Sequence, residues 1–174
     1  MDLQLKNKIA VVLAASKGLG KAIAKALSAE GATVIIGSRN KDELDKTAVE
    51  IEQLSGNKVI AMSVDVSDKD SLSAFLQSAA EKYGRIDILL NNAGGPPFDA
   101  FEHLDDEHSQ KALALTLLSF VRASRQVLPY MKAAGGGRII NIISGSVKSV
   151  LAHSVLPTSM RMGVVGMAKL LADE

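Results

Sequence analysis

Gly18 and Gly20 stand two residues apart in the stretch VVLAASKGLGKAIA, residues 11–24, where an apolar run turns into a helical pattern. A turn of this kind leaves backbone N–H groups facing outward at a helix start, where the helix dipole also attracts an anion. The chemistry it suggests is phosphate binding. The alternative is that both glycines only let a helix pack closely on a strand. Further on, IIGSRN places Ser38, Arg39 and Asn40 with no acid before Asp42. Sites that hold a ribose 2′-OH commonly have an acid there, whereas Arg39 suits a 2′-phosphate and Lys17 adds a second positive charge. Both cations could instead be ordinary solvated charges. Asp65, in SVDVSD, could accept from an adenine amino group, orient the turn ahead of Ser67, or do both.

These residues need a frame, and the hydrophobic pattern supplies one. Lys8–Ala14, Thr33–Gly37, Lys58–Val64, Ile86–Asn91 and Arg138–Ile143 read as strands, mostly continuous apolar runs. Between them come helical patterns. Leu19 to Glu30 stops at Gly31; Asn40 caps a helix carrying Leu44, Ala48, Ile51 and Leu54 as far as Gly56. Ser67 with Asp70 resembles a capping box, ahead of Leu72, Phe75, Leu76 and Ala79 and ending at Gly84. The loop AGGPPFDA then leads to a long helix from about Asp106 to Ala133, with Pro129 placed to kink it and Gly135, Gly136 and Gly137 to end it. Pro157 can open a last helix at its first position. Alternating strands and helices predict one α/β domain over 1–174: a Rossmann-like, doubly wound parallel sheet in three α/β/α layers, with ligands at the carboxyl ends of the strands.

Composition narrows the function classes. A net charge of +1 lacks the concentrated basic surface that nucleic acid or a membrane surface demands. No cysteine is present, which removes disulfides, thiolate catalysis and Cys-ligated zinc, and His103 and His108 form no metal-ligand pattern. MDLQLKNKIA has no secretory apolar region, and no apolar run reaches the roughly 18 residues of a membrane span. The reading is a cytoplasmic domain with a small-molecule ligand, no bound metal, no nucleic acid and no membrane.

After the fourth strand comes LLNNAGG. With the glycine turn, it makes the chain resemble the short-chain dehydrogenase/reductase superfamily over essentially its whole length, and most closely the 3-oxoacyl-acyl-carrier-protein reductase-like members. In that family NNAG, here Asn91 to Gly94, steadies the sheet and passes beside the cofactor ribose. The resemblance implies NADP(H) bound by Ser16, Lys17, Gly18, Leu19, Gly20, Ser38, Arg39, Asp65, Val66, Asn92, Ala93, Gly94 and Arg161. It implies a carbonyl or alcohol as substrate, such as a 3-oxoacyl thioester. It also implies a dimer or tetramer, and Leu113, Leu117, Phe120, Val121 and Leu128 offer the long helix apolar surface for it.

The chain departs from the family pattern in two places. The usual Thr-Gly of the glycine turn is Leu13-Ala14. Alanine adds a methyl group but leaves the helix start intact. The family's catalytic Asn, Ser, Tyr and Lys fall on Thr116, Ser144, Pro157 and Arg161, so Ser144 alone is kept. Proline has no proton to give, and arginine is a poor acid that can still hold ribose hydroxyls or a developing negative charge. Tyr83 and Tyr130 lie on other elements. His153 could titrate or simply face solvent. The expected outcome is either an oxidoreductase with an altered proton path or a nucleotide-binding protein that works by interaction. In this chain the fifth strand would lie at the sheet edge, yet RIINII reads as buried on both sides; family members continue past the helical pattern ending LLADE, and further strands are expected beyond it.

Overall fold

The computed structural model describes residues 3–174. Five parallel strands are arranged β3-β2-β1-β4-β5: β1 (Ile9–Leu13), β2 (Thr33–Ser38), β3 (Val59–Ser63), β4 (Ile88–Asn91) and β5 (Arg138–Asn141). The order has a physical reason. IAVVL is apolar throughout, so β1 takes the centre, where both faces and both edges are covered. Successive side chains go to opposite faces. Val11 and Leu13 join a core with Phe75, Leu76, Leu89, Val127 and Met131. Ala10 and Val12 join the other, with Val34, Ile36, Leu44, Ile51 and Leu90. The helices α1 (Gly18–Ala29) and α2 (Lys41–Ser55) pack together on one face, and α3 (Lys69–Tyr83) packs on α5 (Ser119–Ala133) on the other. After β3 the chain crosses to the far side of β1 to form β4. This reversal opens a crevice at the carboxyl ends of β1 and β4.

At the opposite end, Asp87 ties β1 to β4. Its carboxylate accepts from the Ile9 amide at 2.9 Å and from Arg85 Nε at 3.0 Å, with Lys8 Nζ 3.6 Å away. Burial pushes this carboxyl up, but the Arg85 hydrogen bond, the Ile9 amide and the charges of Arg85 and Lys8 outweigh it and leave it below the usual carboxylate value.

Three local expectations need correction. Asp68, not Ser67, caps α3, accepting from Ser71 N, while Ser67 turns back to Asp65. Asn40 does cap α2, accepting from Glu43 N. The long helical stretch beginning at Asp106 runs through Pro129, which lies inside α5. It divides into α4 (Asp106–Leu113), a wide π segment (Ala114–Leu118) and α5. Pro157 is the third residue of α6 (Val155–Leu171), not the first. The first turn tolerates it there because its N–H would have no partner within the helix. Lastly, β5 stops at Asn141, short of the expected Ile143; it lies at the sheet edge among the described residues, as expected, with Ile140 44% exposed.

Candidate active site

The crevice holds an open cavity of about 490 Å³. Its floor is the glycine turn. The structure separates the two glycines. A Cβ on Gly20 would lie 2.3 Å from the Ala14 carbonyl oxygen, so Gly20 is needed for helix–strand packing. Gly18 has φ +57° and open space around it, and the helix start there has no side-chain cap. One glycine therefore answers to packing, and the other leaves unsatisfied amides available to a ligand. Ala14, at the family's glycine position, is held at φ +49°, a left-handed conformation that costs alanine about 1–2 kcal/mol.

Of the residues expected to hold the cofactor, Ser16, Lys17, Ser38, Arg39, Asp65, Val66, Asn92, Ala93 and Gly94 line this cavity. Gly18, Leu19 and Gly20 form the helix start beside it, with Leu19 exposed and Gly20 buried. Asp65 does orient its turn: Oδ1 accepts from the Ser67 amide at 2.9 Å and the Ser67 hydroxyl at 2.6 Å. The Ser67 hydroxyl bond holds this carboxyl below its usual value against burial, assisted by the Ser67 amide and the charge of Arg39. The sequence reading missed Glu43 and Leu115, which also line the cavity. Glu43 accepts from Ser16 Oγ at 3.1 Å, and Thr47 Oγ1 donates to the Ser16 carbonyl at 2.7 Å, so α2 braces the glycine turn. The helical period that put Leu44 inward puts Thr47 there too.

The NNAG turn does join elements. Asn91 Nδ2 donates to Ser124 Oγ on α5 at 3.1 Å and to Asn141 Oδ1 on β5 at 2.9 Å. Asn92 Nδ2 reaches the Ala14 carbonyl at 3.3 Å.

The residues expected to do chemistry sit on elements that pack against one another, with none lining the cavity. Thr116 is buried in the π segment, and its hydroxyl donates to the Ala112 carbonyl at 2.7 Å. Ser119 does the same to Leu115. In the wide turn the Ser119 amide bonds Ala114, five residues back, and hydroxyls take carbonyls four residues back. Ser144 precedes a short 3₁₀ turn, and its Oγ accepts from the Ser146 amide at 3.2 Å. On α6, Gly163 packs against Leu117 of the π segment. Arg161 is half-buried, and its Nη1 donates to the Pro157 carbonyl at 3.2 Å. A Cβ on Gly95, at the cavity wall, would lie 3.4 Å from Arg161 Nη2, so the guanidinium rests against that backbone. Burial pushes the guanidinium below its ordinary value.

His153 is exposed at φ +57°, and its carbonyl accepts from the Asp99 amide at 2.9 Å, fastening the loop before α6 to the one after β4. Tyr83 and Tyr130 pack against the core. No helix among the described residues is long and apolar enough to cross a membrane.

The pattern of the short chain dehydrogenase family matches residues 8–174. The chain is 37% identical over 175 residues to an uncharacterized oxidoreductase of Bacillus subtilis, covering 98% of this chain and 65% of that one. It is 32% identical to a 3-oxoacyl-[acyl-carrier-protein] reductase of Thermotoga maritima, covering 99% of this chain and 70% of that one. Among solved structures, L-sorbose reductase of Gluconobacter frateurii, complexed with NADPH and L-sorbose, superposes with a TM-score of 0.96 at 31% identity, covering 99% of this chain and 66% of that one. The chain thus spans less than two thirds of the Bacillus relative's length.

Proposed function

Because the chain belongs to the short-chain dehydrogenase family, we propose that it serves an NADP(H)-dependent oxidoreductase acting on a carbonyl or alcohol of a small molecule. One observation carries the choice of nucleotide. Lys17 and Arg39 line the same cavity beside an uncapped helix start, and β2 ends without an acid. Gly18 to Gly20 would take the pyrophosphate, Arg39 and Lys17 the 2′-phosphate, and Asp65 the adenine amino group. Val66, Asn92, Ala93 and Gly94 would line the path to the nicotinamide. Bound there, the cofactor supplies or accepts a hydride.

The chain's own part in the chemistry is to polarise the carbonyl and manage a proton. Ser144 can donate to the substrate oxygen, and Arg161 can stabilise charge that develops on it. Pro157 offers no proton, so water delivers it, with a slower rate on simple ketones. A 3-oxoacyl thioester is one substrate to try, given the Thermotoga relative. The half-buried Leu113, Leu117, Val121 and Leu128 form the face through which the protein would dimerise or tetramerise in the cytoplasm; Phe120, counted with them in the sequence, is buried inside. Light scattering that finds a monomer at micromolar concentration removes that assembly.

Two observations favour a second reading, a nucleotide-binding protein with little turnover: the Thr116 hydroxyl is spent on Ala112, and Pro157 stands at the acid's position. Titration with NADPH and NADH, followed by single-turnover hydride transfer to a ketone panel, separates the cases. Equal affinity for the two nucleotides defeats the NADP assignment. Tight NADPH binding without transfer selects the second reading.

A further inference from the structure

Arg161 has the unusual environment of the site. Its guanidinium is half-buried, is desolvated enough to lower its pKa, and keeps its charge at neutral pH all the same. Its one hydrogen bond within the described residues is to the Pro157 carbonyl, and no carboxylate among them lies within ion-pair distance. Asp87, the buried carboxylate at the other end of the sheet, has Arg85 and Lys8 as counter-charges, and the half-buried Lys21 has Glu50 at 2.6 Å. A charge removed from water is stabilised by a counter-charge or by several hydrogen bonds. The guanidinium is a fork that fits a carboxylate through two parallel bonds. It lies against Gly95, on the wall of the cavity, and away from Arg39 in the fold, since Arg39 follows β2 and Gly95 follows β4 on the other side of β1.

We infer that Arg161 is the docking point for a carboxylate on the substrate, so that the protein acts on oxo acids or hydroxy acids in preference to neutral ketones and alcohols. This rests on the oxidoreductase reading above. The overall change balances as oxo acid plus NADPH plus a proton giving hydroxy acid plus NADP⁺. The carboxylate itself is unchanged: it neutralises Arg161 and fixes the neighbouring carbonyl.

The test is calorimetric binding of 3-oxobutanoate and of its methyl ester, with and without saturating NADP⁺, to the wild-type chain and to Arg161→Gln and Arg161→Lys. NADP⁺ affinity is measured on all three. The expected result is that wild type binds the acid at least tenfold more tightly than the ester. Arg161→Gln brings the ratio to about one and Arg161→Lys keeps part of it, with and without NADP⁺. A wild-type ratio near one overturns the inference. So does an acid preference that survives Arg161→Gln, or a tenfold loss of NADP⁺ affinity in that variant without an acid preference in wild type. Arg161→Lys keeps the test decisive should Arg161→Gln fold poorly. Failure of wild type to bind NADP⁺ defeats the oxidoreductase reading instead, and the acid-to-ester ratio without nucleotide still judges Arg161.

Discussion

The two halves of the sheet are built to different standards. On one side β1 and β2 are buried almost completely, α1 and α2 lie flat on them, and the glycine turn is braced by Thr47 and Glu43. On the other side β5 is an exposed edge, the helical stretch before it widens into a π turn, His153 is held left-handed, and Arg161 has no counter-charge among the described residues. The first half is the preformed one, where a nucleotide is proposed to bind. The second keeps the family's frame, and it carries Thr116, Pro157 and Arg161 where the proposed reading looks for the groups that move a proton. On the proposed function, cofactor binding and chemistry would be separable, because they would rest on different elements and different interactions.

The sharpest way to test that separation is to restore the chemical half alone. Pro157→Tyr with Arg161→Lys should raise turnover of a neutral ketone about 100-fold or more, the lower range for general acid catalysis, and leave NADPH affinity within threefold. Single-turnover absorbance measures it, and an unchanged rate means that the missing acid is not what limits the reaction. The next effect falls on the nucleotide half. Gly20→Ala drives a methyl group into the Ala14 carbonyl and should destabilise by about 3 kcal/mol, the upper range for overpacking. A thermal melt should show a Tm lower by roughly 6–12 °C.

Arg39→Asp should leave the melt unchanged, since Arg39 is exposed, and weaken NADPH about 100-fold while sparing NADH. The magnitude follows from a charge-assisted contact of about 1.5–3 kcal/mol lost and a repulsion gained. Equal weakening of both nucleotides would blur the comparison. Asp87 spans both halves at their base. Asp87→Ala should cost about 2 kcal/mol by leaving the Ile9 amide without its acceptor. Its folded pKa is depressed, so its contribution is fully present above the unfolded value near ~4 and is lost as pH falls through the lower folded value. Urea melts across that acid range should therefore converge for wild type and variant. The smallest effect is a gain. Ala14→Gly removes the left-handed strain and should stabilise by about 1 kcal/mol, or roughly 2–4 °C.

The amino-acid sequence by itself determined the order of strands and helices and which strand ends meet in the crevice. The apolar runs that form β1, β2 and β4 read as buried strands, Gly31, Gly56 and Gly84 mark helix ends, and Arg39 without an acid is a local statement about charge. Nine of the thirteen residues assigned to the cofactor reach one cavity because strand ends in a doubly wound sheet converge at a fixed edge. Only the tertiary structure decided what depends on distant partners. Gly18 and Gly20 look alike in the sequence, and the Ala14 carbonyl tells them apart. Glu43 and Thr47 meet Ser16 from 27 and 31 residues away, a closeness that no local pattern encodes. The π segment at Thr116 and the solitary charge of Arg161 likewise arise from what packs around them, and for that reason residue type alone gave no sign of either.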